Sequence, residues 1–243
     1  MSTLVKGFEE RLAEVETYLE FLGTLELSAQ DGPPKLEGAA NPISTTQQRI
    51  LYSSVFLQLY NLVESTMSSC IEAVTDAAKD SNRWMPSDLS QSLRKEWVRM
   101  MARTHEELTP DRRLESALRL CGHIVNSLPV EEFELDKGGG NWDDQAIEAI
   151  SKRLGFQLTV SETVYSAVKR RFQNDLGPLA LVKQLRNQLA HGSISFSECA
   201  ENVTVAWLLD LKDKTVDYLR EVVECFSKYL DGFEYLVPER RPT

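Results

Sequence analysis

Leu185-Arg186-Asn187-Gln188-Leu189-Ala190-His191-Gly192 closes a run from Leu176 to Gly192 that reads as a helix stopped by glycine. Leu179, Val182, Leu185 and Leu189 recur at three- and four-residue intervals, which turns one side of this helix toward a core. Gly192 supplies the stop, because the left-handed residue that follows a helix costs least as glycine. Asn187 and His191, four apart, project from one face, with Lys183 a further turn back. Arg186 lies about 140° round the helix from His191, within reach of a long side chain that swings.

The last turn therefore gathers an arginine, an asparagine and a histidine where unpaired carbonyls concentrate negative partial charge. Imidazoles titrate near neutrality and can give or take a proton. Guanidinium stays charged at any working pH and offers a planar fork of donors suited to phosphate or carboxylate. Together these groups suit phosphoryl chemistry without a metal, one moving protons and the other countering charge on phosphate oxygens. An arginine and a histidine at this place also serve as helix caps and dipole partners, and spacing does not separate the two roles.

A second long helix is expected from about Thr45 to Lys79. It is apolar around much of its circumference, with Leu51, Val55, Leu59 and Leu62 on one line and Tyr52, Phe56, Tyr60, Val63 and Met67 on the next. Such a helix belongs at the centre of a bundle. Its polar stripe runs Gln58, Asn61, Ser65, Ser68 and Glu72, with Glu64 at the edge. A carboxylate so close to an apolar face wants a partner, and Arg186 or Lys183 is a natural one if the two helices pack together. Asn61 is placed with Glu64 and Lys183 as supporting the same site; the alternative is a stripe that faces water.

The string Arg186-Asn187-x-x-x-His191-Gly192 resembles the R-x4-6-H signature of the HEPN superfamily, in which a polar residue often follows the arginine. Leu59-Tyr60-Asn61-Leu62-Val63-Glu64-Ser65-Thr66 resembles the paired helix of its MAE-type branch. The likeness covers roughly Ser44 to Ala78 and Leu176 to Leu236 well, and the middle of the chain loosely. It implies a homodimer in which two such motifs face across a symmetric cleft and form one composite endoribonuclease site. Arg186 would then neutralise a phosphorane-like transition state, His191 would act as general acid or base, and Asn187 would position a phosphate or the 2′-hydroxyl. The implied reaction is attack of a ribose 2′-hydroxyl on the adjacent phosphate, without cofactor or metal. Family members often serve as toxins or in antiviral defence, which by analogy implies an antitoxin or regulatory protein. The competing reading is a non-catalytic HEPN-like dimer that works as a protein-interaction or RNA-binding module.

Composition limits these readings. With 243 residues, 42% of them apolar, the chain can build one substantial core, so a single domain over 1–243 with an insertion at about 80–158 is expected. A net charge of −10 argues against a broad, non-specific nucleic-acid binder, although a local basic patch can work within an acidic envelope. The most basic run near the motif is Lys169-Arg170-Arg171, either a solvated helix face or a rim that guides an RNA backbone to Arg186 and His191. Cys70, Cys121, Cys199 and Cys225 form no C-x-x-C pair, and the segment from Met1 to Lys6 opens no apolar signal. With no apolar run approaching the roughly 18 residues that span a bilayer, the expectation is a reduced, cytoplasmic protein with free thiols and no membrane partner.

Along the rest of the chain, Val5 to Leu27 reads as a packing helix with Phe8, Leu12, Val15, Leu19 and Leu22 at helical spacing. Asp31-Gly32-Pro33-Pro34 and Asn41-Pro42 mark an irregular connection. Ser90 to Thr104 is expected to be helical with a basic side, and Asp111 to Ser127 to be a helix begun by Thr109-Pro110. His105 and His123 lack zinc-ligand spacing and read as structural or surface residues. Glu131 to Leu135 suggests a short extended piece. Gly138-Gly139-Gly140 lacks the Gly-Lys-Ser/Thr ending of a phosphate-binding loop. Asn141-Trp142-Asp143-Asp144 looks like the start of a helix to about Leu154. Ser193 to Ser197 reads as a turn or brief extended stretch, and a long amphipathic region runs from about Val203 to Leu236. The architecture expected is all-α: two antiparallel helix pairs with a helical insertion between them.

Overall fold

Apolar spacing of three and four residues runs through most of the chain, and the described residues answer it with helices and no β-strand. The computed structural model describes residues 3–30, 32–38, 40–80, 83–104, 106–136 and 138–242. His105 lies outside the described residues, as does Asp31 of the proline-rich connection. The helices are α1 (Thr3–Ser28), α2 (Thr45–Lys79), α3 (Gln91–Met101), α4 (Pro110–Val125), α5 (Asp144–Leu154), α6 (Glu162–Lys169), α7 (Pro178–Ala190), α8 (Phe196–Cys199) and α9 (Val205–Asp231).

The chain divides into two units. The first comprises residues 1–66, 141–144 and 160–222, the second 67–140, 145–159 and 223–243. α2 and α9 each contribute to both, and most of the expected insertion at 80–158 falls in the second, apart from 141–144.

In the first unit, α1 buries Phe8, Leu12, Val15, Leu19, Leu22 and Leu25 along one line. Its polar side meets α9 in reversed order: Glu9 with Arg220 at 3.2 Å, Glu16 with Lys212 at 3.4 Å, and Glu26 accepting from the Val205 N–H at 3.3 Å. The two helices are therefore antiparallel. α2 meets the following segments in the same reversed sense, the Ser53 hydroxyl donating to the Phe196 carbonyl and Glu64 pairing with Arg186. Val55, Phe56 and Leu59 on α2 are fully buried, and the Phe56 ring meets Trp207 of α9 edge-on at 6.0 Å.

In the second unit, Trp97 of α3 is buried, and the ring of His123 on α4 lies 5.0 Å from it, giving His123 a packing place. Buried Glu96 holds both Arg99 and, at 2.7 Å, Arg153 of α5. Phe156 stacks on Tyr229 and meets Phe226 edge-on. Glu131 to Leu135 joins no strand ladder, and Phe133 and Leu135 are buried between exposed neighbours. Of the two readings of Ser193 to Ser197 the turn is the nearer: Ser193 and Ile194 bend, and Ser195 then starts the short helix α8 through a reciprocal capping box with Glu198.

Candidate functional site

α7 is placed by its two ends. Gly177 precedes Pro178, which takes the first helical position, where a missing N–H costs nothing. A Cβ at Gly177 would lie 2.3 Å from the Val168 carbonyl of α6, so only glycine lets the two segments approach this closely. At the other end His191 is the C-cap, and Gly192 adopts φ +68°. The Gly192 N–H donates to the Leu189 carbonyl at 3.2 Å and the Ser193 N–H to the Gln188 carbonyl at 2.8 Å, the paired bonds of a Schellman ending. Buried Leu179, Leu181, Val182 and Leu189 hold the helix against the core, while Leu185 is half-buried.

This placement leaves Arg186 half-buried and fully engaged on one side. Its guanidinium carbon stands 4.1 Å from the centre of the Tyr60 ring, Nη2 donates to Glu64 Oε2 at 3.2 Å, and Nη1 donates to Asn187 Oδ1 at 2.8 Å. Asn187 Nδ2 in turn donates to Asn141 Oδ1 at 3.2 Å. Because arginine only donates, the amide oxygen of Asn187 must face it, and the amide nitrogen is left for Asn141. The result is a continuous chain, Glu64, Arg186, Asn187, Asn141, that fixes the plane of the guanidinium.

The segment 141–144 holds the site at each successive residue. The Trp142 N–H donates to the Tyr60 hydroxyl at 3.1 Å, Asp143 takes Lys183, and Asp144 takes Lys169 at 2.5 Å. Burial pushes the Tyr60 phenol up, with the Trp142 N–H and the Arg186 charge pulling it partly back, so it stays a neutral hydroxyl at working pH. His191 is exposed, and its imidazole makes no hydrogen bond or ion pair with another described residue.

Of the residues singled out in the sequence, Arg186, Asn187 and Glu64 are joined directly. Lys183 is near but is held by Asp143 rather than by Glu64. Asn61 is exposed and borders a cavity of about 50 Å³ with Arg11, Glu14, Gln58 and Ser65; no hydrogen bond among the described residues joins it to Arg186. Lys169 faces Asp144, Arg171 makes an exposed pair with Asp175 at 2.7 Å, and Arg170 caps α6. Tyr60, Asn141, Trp142, Asp143 and Asp144 take part without having been anticipated as site residues. Among the described residues no group of three His, Cys, Asp or Glu side chains is arranged to hold a metal ion, and no helix is long and apolar enough to cross a membrane.

The described residues thus form helices in antiparallel pairs, with Arg186 in the last turn of α7 and His191 at its C-cap. Residues 1–235 match the family model described as HEPN_MAE_28990-like HEPN, and the chain belongs to that family of HEPN-like domains. No curated protein and no solved structure matches the chain. Membership in a HEPN-like family points in general to nuclease or RNA-related work.

Proposed function

We propose that the protein is a metal-independent RNA endonuclease whose site is built around Arg186 and His191, completed across a homodimer. The observation that carries this reading is the combination on one helix end of an oriented guanidinium and an unencumbered imidazole. Tyr60, Glu64 and Asn187 hold Arg186 in one plane, so its remaining N–H groups need no reordering to meet phosphate oxygens. His191 takes the proton of the ribose 2′-hydroxyl or returns one to the leaving 5′-oxygen. Asn187 keeps a second amide hydrogen for a phosphate oxygen or the 2′-hydroxyl. The products are a 2′,3′-cyclic phosphate, or its hydrolysed form, and a 5′-hydroxyl end. Arg170 and the neighbouring Lys169 and Arg171 supply the rim along which the RNA backbone approaches. A toxin or defence role, with a protein that restrains the nuclease, is the biological setting proposed.

One observation favours the second reading, a non-catalytic HEPN-like dimer that binds protein or RNA. Lys169, Lys183 and Arg186 each face a carboxylate, so the site is balanced in charge before any ligand arrives. Arg186→Ala and His191→Ala decide between the two. Under the nuclease reading each abolishes RNA cleavage while the fold and the oligomeric mass hold. Under the second, wild type and both variants are equally inert and differ only in what they bind.

A further inference from the structure

Where charge is balanced, affinity for a nucleic acid has to come from more than phosphate attraction. Beside the Arg186 site most cations are already taken: Lys169 by Asp144, Lys183 by Asp143 and Arg171 by Asp175. The Arg170 side chain is the exception, exposed and without an ion pair or hydrogen bond to another described residue. Five residues before it an aromatic ring stands in water. Tyr165 is 46% exposed; the other exposed aromatic among the described residues is Phe21, whose ring lies near that of Tyr18 on the same helix. The Lys169 ammonium stands 5.3 Å from the centre of the Tyr165 ring, over one face, and Asp144 holds it there at 2.5 Å. Asp144 ends the segment whose first residue, Asn141, accepts from Asn187. The ring and the Arg186–Asn187 pair, both in the first unit, are thus joined through one lysine and at most about 10 Å of chain.

We infer that Tyr165 is a stacking platform for one base of a single-stranded RNA, with Arg170 on the backbone of that strand. This rests on the reading of the site as one that takes RNA, and it names the form of that RNA as unpaired. Every base has a π-face, and stacking asks for no added positive charge, which suits a chain of net charge −10. In a duplex the bases are stacked on one another inside the helix, so a ring on the protein surface reaches none of them. The direction in which the strand crosses follows from the charges of α6. Glu162 lies in its first turn, Lys169 in its last, and Arg170 is its C-cap. The strand therefore lays its phosphates toward the Arg170 end and its base on the ring between the two ends. Lys169 occupies one face of the ring, and the base takes the other.

The test uses the full wild-type chain and a labelled 2′-O-methyl oligoadenylate of about 15 nucleotides, whose blocked 2′-oxygens prevent cleavage during the measurement. Fluorescence anisotropy gives its affinity alone and annealed to oligouridylate. The single strand is expected to bind more tightly than the duplex. Tyr165→Ala and Tyr165→Leu each weaken it about 10-fold, whereas Tyr165→Phe and Tyr165→Trp keep it, because the π-face and not the hydroxyl is used. Salt separates the ring from the backbone contact. The slope of log affinity against log salt is unchanged in Tyr165→Ala and shallower by about 0.7 in Arg170→Ala. Circular dichroism confirms that the variants fold, as expected for exposed side chains. Binding by Tyr165→Ala equal to wild type, or restored in full by Tyr165→Leu, overturns the stack and leaves the RNA reading standing. Equal affinity for duplex and single strand overturns the unpaired substrate, and an unchanged slope in Arg170→Ala overturns the backbone contact. A wild type that binds neither form at low salt overturns the RNA reading and the stack with it.

Discussion

Arg186 is held by three neighbours of different kinds, and the kinds predict what each contributes. Its ion pair with Glu64 is about a third exposed on both sides, so solvent screens it to within about 1 kcal/mol. Stacking on Tyr60 adds a term of similar size. Arg186→Ala therefore lowers stability by only about 1–2 kcal/mol in urea unfolding, while removing all cleavage. Arg186→Lys keeps the charge but loses the fork and the stack, and cleavage falls by about 10²-fold, measured as kcat on a defined RNA. Tyr60→Phe tests the other face of the arrangement. It keeps the ring under Arg186 but strands the buried Trp142 N–H, which costs about 1–3 kcal/mol. A smaller loss would mean that the Trp142 N–H finds another acceptor.

Helices and their ends were largely legible in the sequence. The span expected for α2 coincides with the one observed, because its two apolar lines are long and uninterrupted. Gly192 was readable as the stop for α7 because left-handed backbone asks for glycine. Glu64 was readable as a carboxylate in search of a cation, and Arg186 is the one it meets. What periodicity does not carry is juxtaposition: Asn141 lies 46 residues before Asn187, and nothing in its local pattern points to α7. The Ser195-x-x-Glu198 capping signature was present but stands before too short an apolar run to be read as a helix. Gly177 was likewise silent, since its φ of −74° suits any residue and only the Val168 carbonyl excludes a side chain. The two glycines flanking α7 therefore differ in prediction. Gly192→Ala meets no atom and costs about 1–2 kcal/mol of left-handed strain. Gly177→Ala must push α6 from α7, and costs more than Gly192→Ala in the same urea titration.

At the scale of the molecule, buried protonated groups set the response to alkali. Burial pushes the Cys70 thiol well above the ordinary thiol range, and the phenols of Tyr52, Tyr60, Tyr229 and Tyr235 are raised for the same reason. In the unfolded chain these groups ionise at their ordinary values of 9.0 and 10.0, before the folded chain lets its protons go. Alkali therefore favours unfolding: the contribution is whole below about pH 9 and is lost as pH climbs toward the folded values. Urea midpoints at about pH 7.5 and about pH 10.5 check this, the second being lower; equal midpoints would mean that these side chains reach solvent in the folded state.

The acidic envelope and the arginine–histidine site meet in one measurement, the cleavage of RNA in EDTA by purified wild type and His191→Ala of matched fold and mass. The account predicts that wild type alone cuts, that the new fragments carry 5′-hydroxyl ends, and that a strand with deoxyribose at the cleavage position is left whole. Cutting by both proteins, cutting only with divalent metal, or intact RNA with both would contradict it.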